Sequence, residues 1–102
     1  MSAFNVVRMR AKPGALDELI AVYRDRDLGD LPGLEELTVV RTGERDFCVI
    51  GQWTGMDALV AARPAMIATL DRYRARLEEL GPGLGVTDPV SGEAVVQRIA
   101  PG

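Results

Sequence analysis

Histidine is absent from this 102-residue chain, and cysteine occurs once, as Cys48. The lone cysteine rules out an internal disulfide. Together the two scarcities argue against zinc, copper or haem held by protein side chains, whose ligands are mostly imidazole and thiolate. With no imidazole to activate it, Cys48 reads as a small buried hydrophobe rather than a nucleophile. A carboxylate-only Mg or Ca site stays open, but the glutamate pairs at 35–36 and 78–79 place neighbours on different faces of a strand or helix. An excess of basic charge is also missing: 12 Lys and Arg stand against 15 Asp and Glu, for a net charge of −3. Basic residues alternate with acidic ones in "RDRD" (24–27) and "RYRARLEE" (72–79). No cationic stripe results, and no nucleic-acid partner is expected. No apolar run approaches the roughly 20 residues that span a bilayer. The opening "MSAFNVVRMR" has no cationic segment leading into a long apolar core, as a signal peptide would. A cytoplasmic protein with no membrane partner is the expectation. No repeat of 20–50 residues points to a solenoid, and residues 1–102 read as a single domain with one core.

What is present alternates between two periods. "FNVVRMRA" (4–11) is rich in apolar and β-branched residues and reads as a first strand, ended by "KPG" (12–14). In "ALDELIAVYRD", Leu16, Leu19, Ile20 and Tyr23 recur at i, i+3, i+4 and i+7, the spacing of an amphipathic helix, with Asp17 and Glu18 in its favourable first turn. After the breaker-rich "DLGDLPG" (27–33), "LEELTVVRT" (34–42) and "FCVIGQW" (47–53) read as strands joined by "GERD", an antiparallel hairpin. Thr54 is a candidate N-cap with Asp57 three residues on. Pro64 should end one helical piece and begin another. Met66, Leu70, Tyr73, Leu77 and Leu80 then continue a helical stripe as far as Gly81 and Pro82. Arg74 and Glu78 would form an i,i+4 pair on that helix. "GPGLG" follows a helix and opens none, so it does not read as a phosphate loop. A loop over 81–92 would lead to a last strand, "EAVVQRI" (93–99).

The order is β-α-β-β-α-β, an α+β, ferredoxin-like arrangement with a four-stranded antiparallel sheet. Two helices cover one face of such a sheet. The other is often wet and then reads polar at alternate positions. Here Phe4 and Val6 oppose Val7 and Met9, while Cys48 and Ile50 oppose Phe47, Val49 and Trp53. Exposing such side chains costs roughly 1.5–3 kcal/mol each. The expectation is a two-fold homodimer whose sheets enclose a barrel-like interior. A pocket for a small aromatic or apolar ligand is expected between sheet and helices, beside the interruption at Pro64.

"VVRMRAKPGALDEL" (6–19) and "GQWTGMDALVAARPAM" (51–66) give the chain a closer likeness. In these stretches it resembles the antibiotic biosynthesis monooxygenase family of dimeric α+β barrels. The match covers most of residues 4–80 and is one of pattern more than identity. The resemblance implies cofactor-independent oxygenation, without metal or flavin, of a small electron-rich aromatic of polyketide or quinol type. The alternative is a stress-related or small-ligand-binding protein of the same fold with no turnover. The resemblance also implies that Asn5 and Trp53 line the pocket as its catalytic pair. The histidine that many members carry on the second helix is replaced here by the stretch holding Ala61, Ala62, Arg63 and Met66. That departure removes the group which haem-degrading relatives need. For the chemistry implied, Tyr23, Phe47 and Met66 are candidate walls with Trp53, Gln52 joins Asn5 as a hydrogen-bonding group, and Arg63 or Arg41 is a candidate cation for a substrate anion. Each has a packing alternative: Trp53 as a core and dimer-contact residue, Tyr23 as part of an amphipathic stripe, Met66 as a gap-filler, and the arginines as surface groups.

Overall fold

Side-chain alternation determines which face of the sheet each strand residue joins, and the computed structural model of the protein, which describes residues 1–102, follows that alternation closely. Strands β1 (Ala3–Arg10), β2 (Leu34–Arg41), β3 (Asp46–Trp53) and β4 (Asp88–Glu93) form one sheet in the order β2-β3-β1-β4. Every neighbouring pair is antiparallel. The helices α1 (Leu16–Arg24) and α2 (Met56–Asp71) follow β1 and β3, which gives the expected ferredoxin-like βαββαβ topology. The β2–β3 hairpin closes through the amides of Thr42 and Gly43, both donating to the Asp46 carbonyl. No helix is long and apolar enough to cross a membrane.

On the helix-covered face, β1 contributes Ala3, Asn5 and Met9, and β3 contributes Phe47, Val49, Gly51 and Trp53, all buried. This face carries two separate apolar clusters. One gathers Met9, Phe47, Val49, Leu16, Leu19, Tyr73 and Leu77, with Ala11 and Ala15. The other gathers Ala3, Leu31, Trp53, Leu59 and Ala62. On the opposite face Phe4, Val6, Cys48 and Ile50 are only half-buried, and Val40 and Val90 are 40% and 64% exposed. The inner face is therefore apolar, and the outer face carries an apolar patch bordered by Arg8, Arg10, Glu36, Gln52 and Asp88.

Several expectations are corrected. Pro64 lies inside a continuous α2. The carbonyl it deprives of a partner is that of Val60, and both residues are exposed, so that carbonyl is open to solvent rather than stranded in the core. The N-terminal cap is Gly55, without a side-chain bond. Thr54 instead uses its amide to bond the Gly33 carbonyl at 2.8 Å. Gly33 has φ +86°, and a Cβ there would lie 2.5 Å from that of Ala58, so the chain entering β2 packs directly on α2.

The long second helix stops at Asp71, and a short 3-10 turn follows at Arg74–Arg76. Residues 76–78 instead pair with the end of the first strand. The Lys12 amide bonds the Arg76 carbonyl at 2.8 Å, the Glu78 amide bonds the Arg10 carbonyl at 2.9 Å, and Ala11 bridges Leu77. These sheet-like bonds replace helical ones and still bury Leu77. They also dissolve the expected Arg74–Glu78 pair: Arg74 bonds Asp71 at 3.0 Å, and Glu78 bonds Arg45 at 2.7 Å.

The last strand is Asp88–Glu93 rather than 93–99. Its Pro89 is tolerated because β4 is an edge strand. The segment with the stronger strand composition is left unpaired, with Val95 84%, Val96 77% and Ile99 96% exposed. After the Ala94 amide bonds the Ser2 carbonyl, β1 has no residues left to pair with it.

Candidate active site

The gap between the two apolar clusters is a cavity of about 400 Å³. Its floor is the inner face of the sheet, and its roof is α2 with the end of α1 and the loop that follows. The space does not come from a break in α2, because α2 has none there; it comes from the separation of the two clusters. Most of the lining is apolar, and none of it is Asp, Glu or His.

At one end Asn5 and Trp53 meet across Gly51. Register places Asn5 opposite Gly51 in β3, two residues before Trp53 and on the same face. The indole Nε1 donates to Asn5 Oδ1 at 2.7 Å. A Cβ on Gly51 would lie 2.4 Å from Asn5 Oδ1 and 2.8 Å from Trp53 Nε1. Only glycine leaves room for this bond. The bond also settles the amide's orientation. With Oδ1 held by the indole, the Nδ2 group must point the other way, toward Met66, whose sulfur it approaches at 3.7 Å. Sulfur is a weak acceptor, so Asn5 keeps N–H capacity for a ligand oxygen.

At the other end Tyr23 of α1 and Tyr73, which follows α2, share a hydrogen bond between their hydroxyls. Their rings meet edge to face with centroids 5.7 Å apart. Tyr73 also reaches the Met9 sulfur at 3.7 Å. Burial raises the pKa of both phenols above the ordinary value. They are thus neutral hydrogen-bonding groups rather than bases at neutral pH.

Two arginines border the cavity, and their bonding separates them. Arg26 is consumed by structure: its Nε donates to Thr69 Oγ1 at 2.9 Å, and its Nη1 donates to the Asp27 carbonyl at 2.6 Å and to Asp30 at 2.8 Å. That bond to Arg26 pulls the Asp30 carboxyl below its usual pKa. Arg63 is exposed at the rim and makes only a long contact, 3.4 Å, to Ser91 Oγ on β4.

The structure thus places Asn5, Trp53, Tyr23, Arg63 and Met66 around one cavity. Phe47 and Gln52 are corrections. Phe47 is wholly buried in the first cluster and does not reach the cavity wall. Gln52 alternates with Gly51 and Trp53, so its side chain projects from the opposite face, beside Phe4. Arg41 is held at the hairpin by the carbonyls of Gly43 and Glu44. Sequence reasoning missed Gly51, Tyr73, Arg26 and the β4 residues Pro89 and Ser91. Gly51 carried a local signal, being a glycine in a strand interior, where close approach of other groups is a common cause.

No family model and no curated protein matches the chain by sequence. Solved structures do match by shape. SnoaB, a cofactor-independent oxygenase from Streptomyces nogalater, superposes with a TM-score of 0.71 at 20% identity, over 94% of this chain and 95% of that one. A protein of Chloroflexus aurantiacus, provisionally assigned as an antibiotic biosynthesis monooxygenase, gives 0.71 at 17% identity over 96% and 97%. A MhuD variant with two manganese protoporphyrin IX molecules bound per active site gives 0.68 at 19% identity over 96% and 99%. The chain has the fold of the antibiotic biosynthesis monooxygenases.

Proposed function

We propose that the protein is a cofactor-independent monooxygenase acting on a small, electron-rich aromatic in this cavity, with Asn5 and Trp53 as its working pair. The observation that carries the proposal is the oriented Asn5 amide. It offers N–H donors inside an apolar space, where a donor aimed at developing negative charge is worth most. Such a reaction needs a substrate that can itself reduce O₂ once deprotonated, as an anthrone does. The cavity lining offers no carboxylate or imidazole, so the proton leaves to solvent, and the protein's part is to favour the anion. Asn5 Nδ2 donates to its oxygen, and Arg63 supplies positive charge at the rim. The anion gives one electron to O₂, the two radicals combine at carbon as a peroxide anion, a proton returns from solvent, and the hydroperoxide so formed loses water. A methylene and O₂ thereby become a carbonyl and H₂O. Trp53 holds the amide and walls the ring, and the apolar lining keeps water from the intermediate.

The oxygenase SnoaB shares the fold, which supports the assignment by analogy. The test is anthrone-dependent O₂ uptake by metal-free protein, with product followed by absorbance. Asn5→Leu should reduce kcat/KM about a hundredfold. The lack of a cavity base favours one second reading, ligand binding without turnover. It is the correct one if anthrones raise the Tm but consume no O₂.

The half-exposed outer face of Phe4, Val6, Cys48 and Ile50 supports a homodimer with sheets packed face to face. Light scattering at micromolar concentration should give twice the chain mass, and Ile50→Asp should halve it. A monomeric wild type rejects the assembly.

A further inference from the structure

The segment "EAVVQRI" (93–99) has the composition of a strand and, past its first residues, no strand to join. Val95, Val96 and Ile99 are exposed, and beyond Ala94 no backbone hydrogen bond holds the chain. Side chains alternate along an extended chain, so Val95 and Val96 face opposite ways, and cover on one side alone would leave one of them in water. A place in a sheet with both faces covered meets that need.

The sheet has two free edges, β4 and β2. Strand β2 has no proline, and its stretch from Leu37 to Val40 has no charge, so little blunts it as an edge. The chain's own segment cannot pair with it in the antiparallel sense. Leu34, Trp53, Ala3 and Glu93 form one row across an end of the sheet. Because all neighbours are antiparallel, β4 runs toward this row while β2 starts from it. Residues 94–99 therefore leave the sheet beyond the start of β2. Antiparallel pairing would need them to enter beside Arg41, at the opposite end. A second copy is free of that constraint.

Parity and charge then set the register. Leu37, Val39 and Arg41 in β2, and Pro89, Ser91 and Glu93 in β4, belong to the helix-covered side of the sheet. Residues facing the same way pair, so odd positions meet odd ones. Pairing Val95 with Val39 sets Val96 beside Thr38 and Gln97 beside Leu37. At the two ends it sets Glu93 beside Arg41 and Arg98 beside Glu36, opposite charges both times, which favours cross-strand pairing. None of these four charged residues forms an ion pair within the chain. A slip of two residues in either direction loses both pairs.

We propose that residues 94–99 add as an antiparallel strand to the β2 edge of a second copy, and that the two copies exchange these strands reciprocally about their two-fold axis. The proposal rests on the homodimer reading and adds the segment that joins the copies. It also makes the site a shared one. Leu37 lines the cavity, and Gln97 of the partner subunit stands beside it on the same face, so a polar side chain from the second copy borders that wall.

Cross-linking in a Cys48→Ser background tests the exchange. Residues directly opposite in an antiparallel pair have Cα atoms about 4.5–5.5 Å apart, within disulfide range, whereas diagonal ones at about 7–8 Å are not. Val96→Cys combined with Thr38→Cys should, on mild oxidation, run at twice the chain mass on a denaturing gel and return to the chain mass on reduction. Val96→Cys combined with Val40→Cys should stay at the chain mass. If the first combination also stays there, with its thiols free or closed within one chain, the exchange is overturned. Equal cross-linking of both combinations overturns the register. Without added cysteines, Arg98→Glu should raise the dimer Kd about three- to fivefold by sedimentation equilibrium, and adding Glu36→Arg should restore it to within about twofold of wild type. A double variant as weak as the single one also overturns the register. Light scattering of the wild type separates the two readings: a dimer that does not cross-link keeps the packed sheets and loses the exchange, and a monomer loses both.

Discussion

The two apolar clusters beneath the helices differ in what they do with their polar groups. The larger one, around Met9 and Phe47, bonds its polar groups to one another. Its Phe47 ring is fully buried away from the cavity, Met9, Val49 and Tyr73 form one end of the cavity wall, and its tyrosine hydroxyls bond each other. The smaller one, around Trp53, ends in a polar pair that uses only part of its capacity, since Asn5 keeps N–H groups free beside Met66. One cluster leaves its polar groups paired, and the other leaves donor capacity facing the cavity. The cavity exists because the two never merge.

That contrast can be broken at either end. The largest effect is expected at the Phe47 end. Phe47→Ala removes a fully buried ring and should cost about 3–5 kcal/mol by urea denaturation. The folded fraction should still bind anthraquinones, because Phe47 does not line the cavity. Gly51→Ala places a methyl group where Asn5 Oδ1 and Trp53 Nε1 now meet. Overpacking and loss of a buried hydrogen bond together should cost roughly 2–4 kcal/mol, and here binding should disappear with the stability. Asn5→Leu leaves the indole N–H without its partner and should cost about 1–3 kcal/mol. Titration by Trp53 fluorescence should show ligand loss far beyond the change in Tm.

The smallest effect sharpens the comparison through pH. Tyr23 and Tyr73 have raised pKa values in the fold because burial disfavours the phenolate. Their stabilising contribution is fully present below the unfolded value near 10. Above it the unfolded chain ionises first, and stability falls by up to about 1.4 kcal/mol per pH unit per tyrosine. Denaturation between pH 9 and 11.5 should show this slope, and Tyr73→Phe should reduce it. A slope unchanged in that variant would mean the pair does not titrate with unfolding.

Strand parity was legible in the residues themselves. Because successive side chains alternate, the apolar types at 4, 6, 48 and 50 against those at 7, 9, 47, 49 and 53 fix apolar side chains on both faces whatever the neighbours do. The same parity argument places Gln52 on the face opposite Trp53, so its polar end does not reach the cavity. The end of α2 was not legible. Leu77 and Leu80 continue a helical stripe on paper, yet Arg76 and Glu78 bond the backbone of Lys12 and Arg10, some 65 residues away in sequence. Pro64 misled in the opposite direction, because the harm a proline does depends on whether the carbonyl it strands can reach water.

The site divides in the same manner. The family resemblance marked Asn5 and Trp53, the chemistry it implies marked Tyr23, Arg63 and Met66, and local periodicity assigned each to a strand or helix. Which of them face one cavity depended on sheet register and on the gap between two clusters, both set by contacts remote in sequence. The sequence by itself determined the element order and the apolar residues on both sheet faces, since these follow from short-range sterics and the partition of side chains from water. Tertiary structure alone decided that Gly51 would let an amide meet an indole, that two distant tyrosines would share a hydrogen bond, and that Arg26 would be bound by Asp30 while Arg63 stayed available. Hydrogen bonds need partners within about 3 Å, and only the folded chain determines which groups come that close.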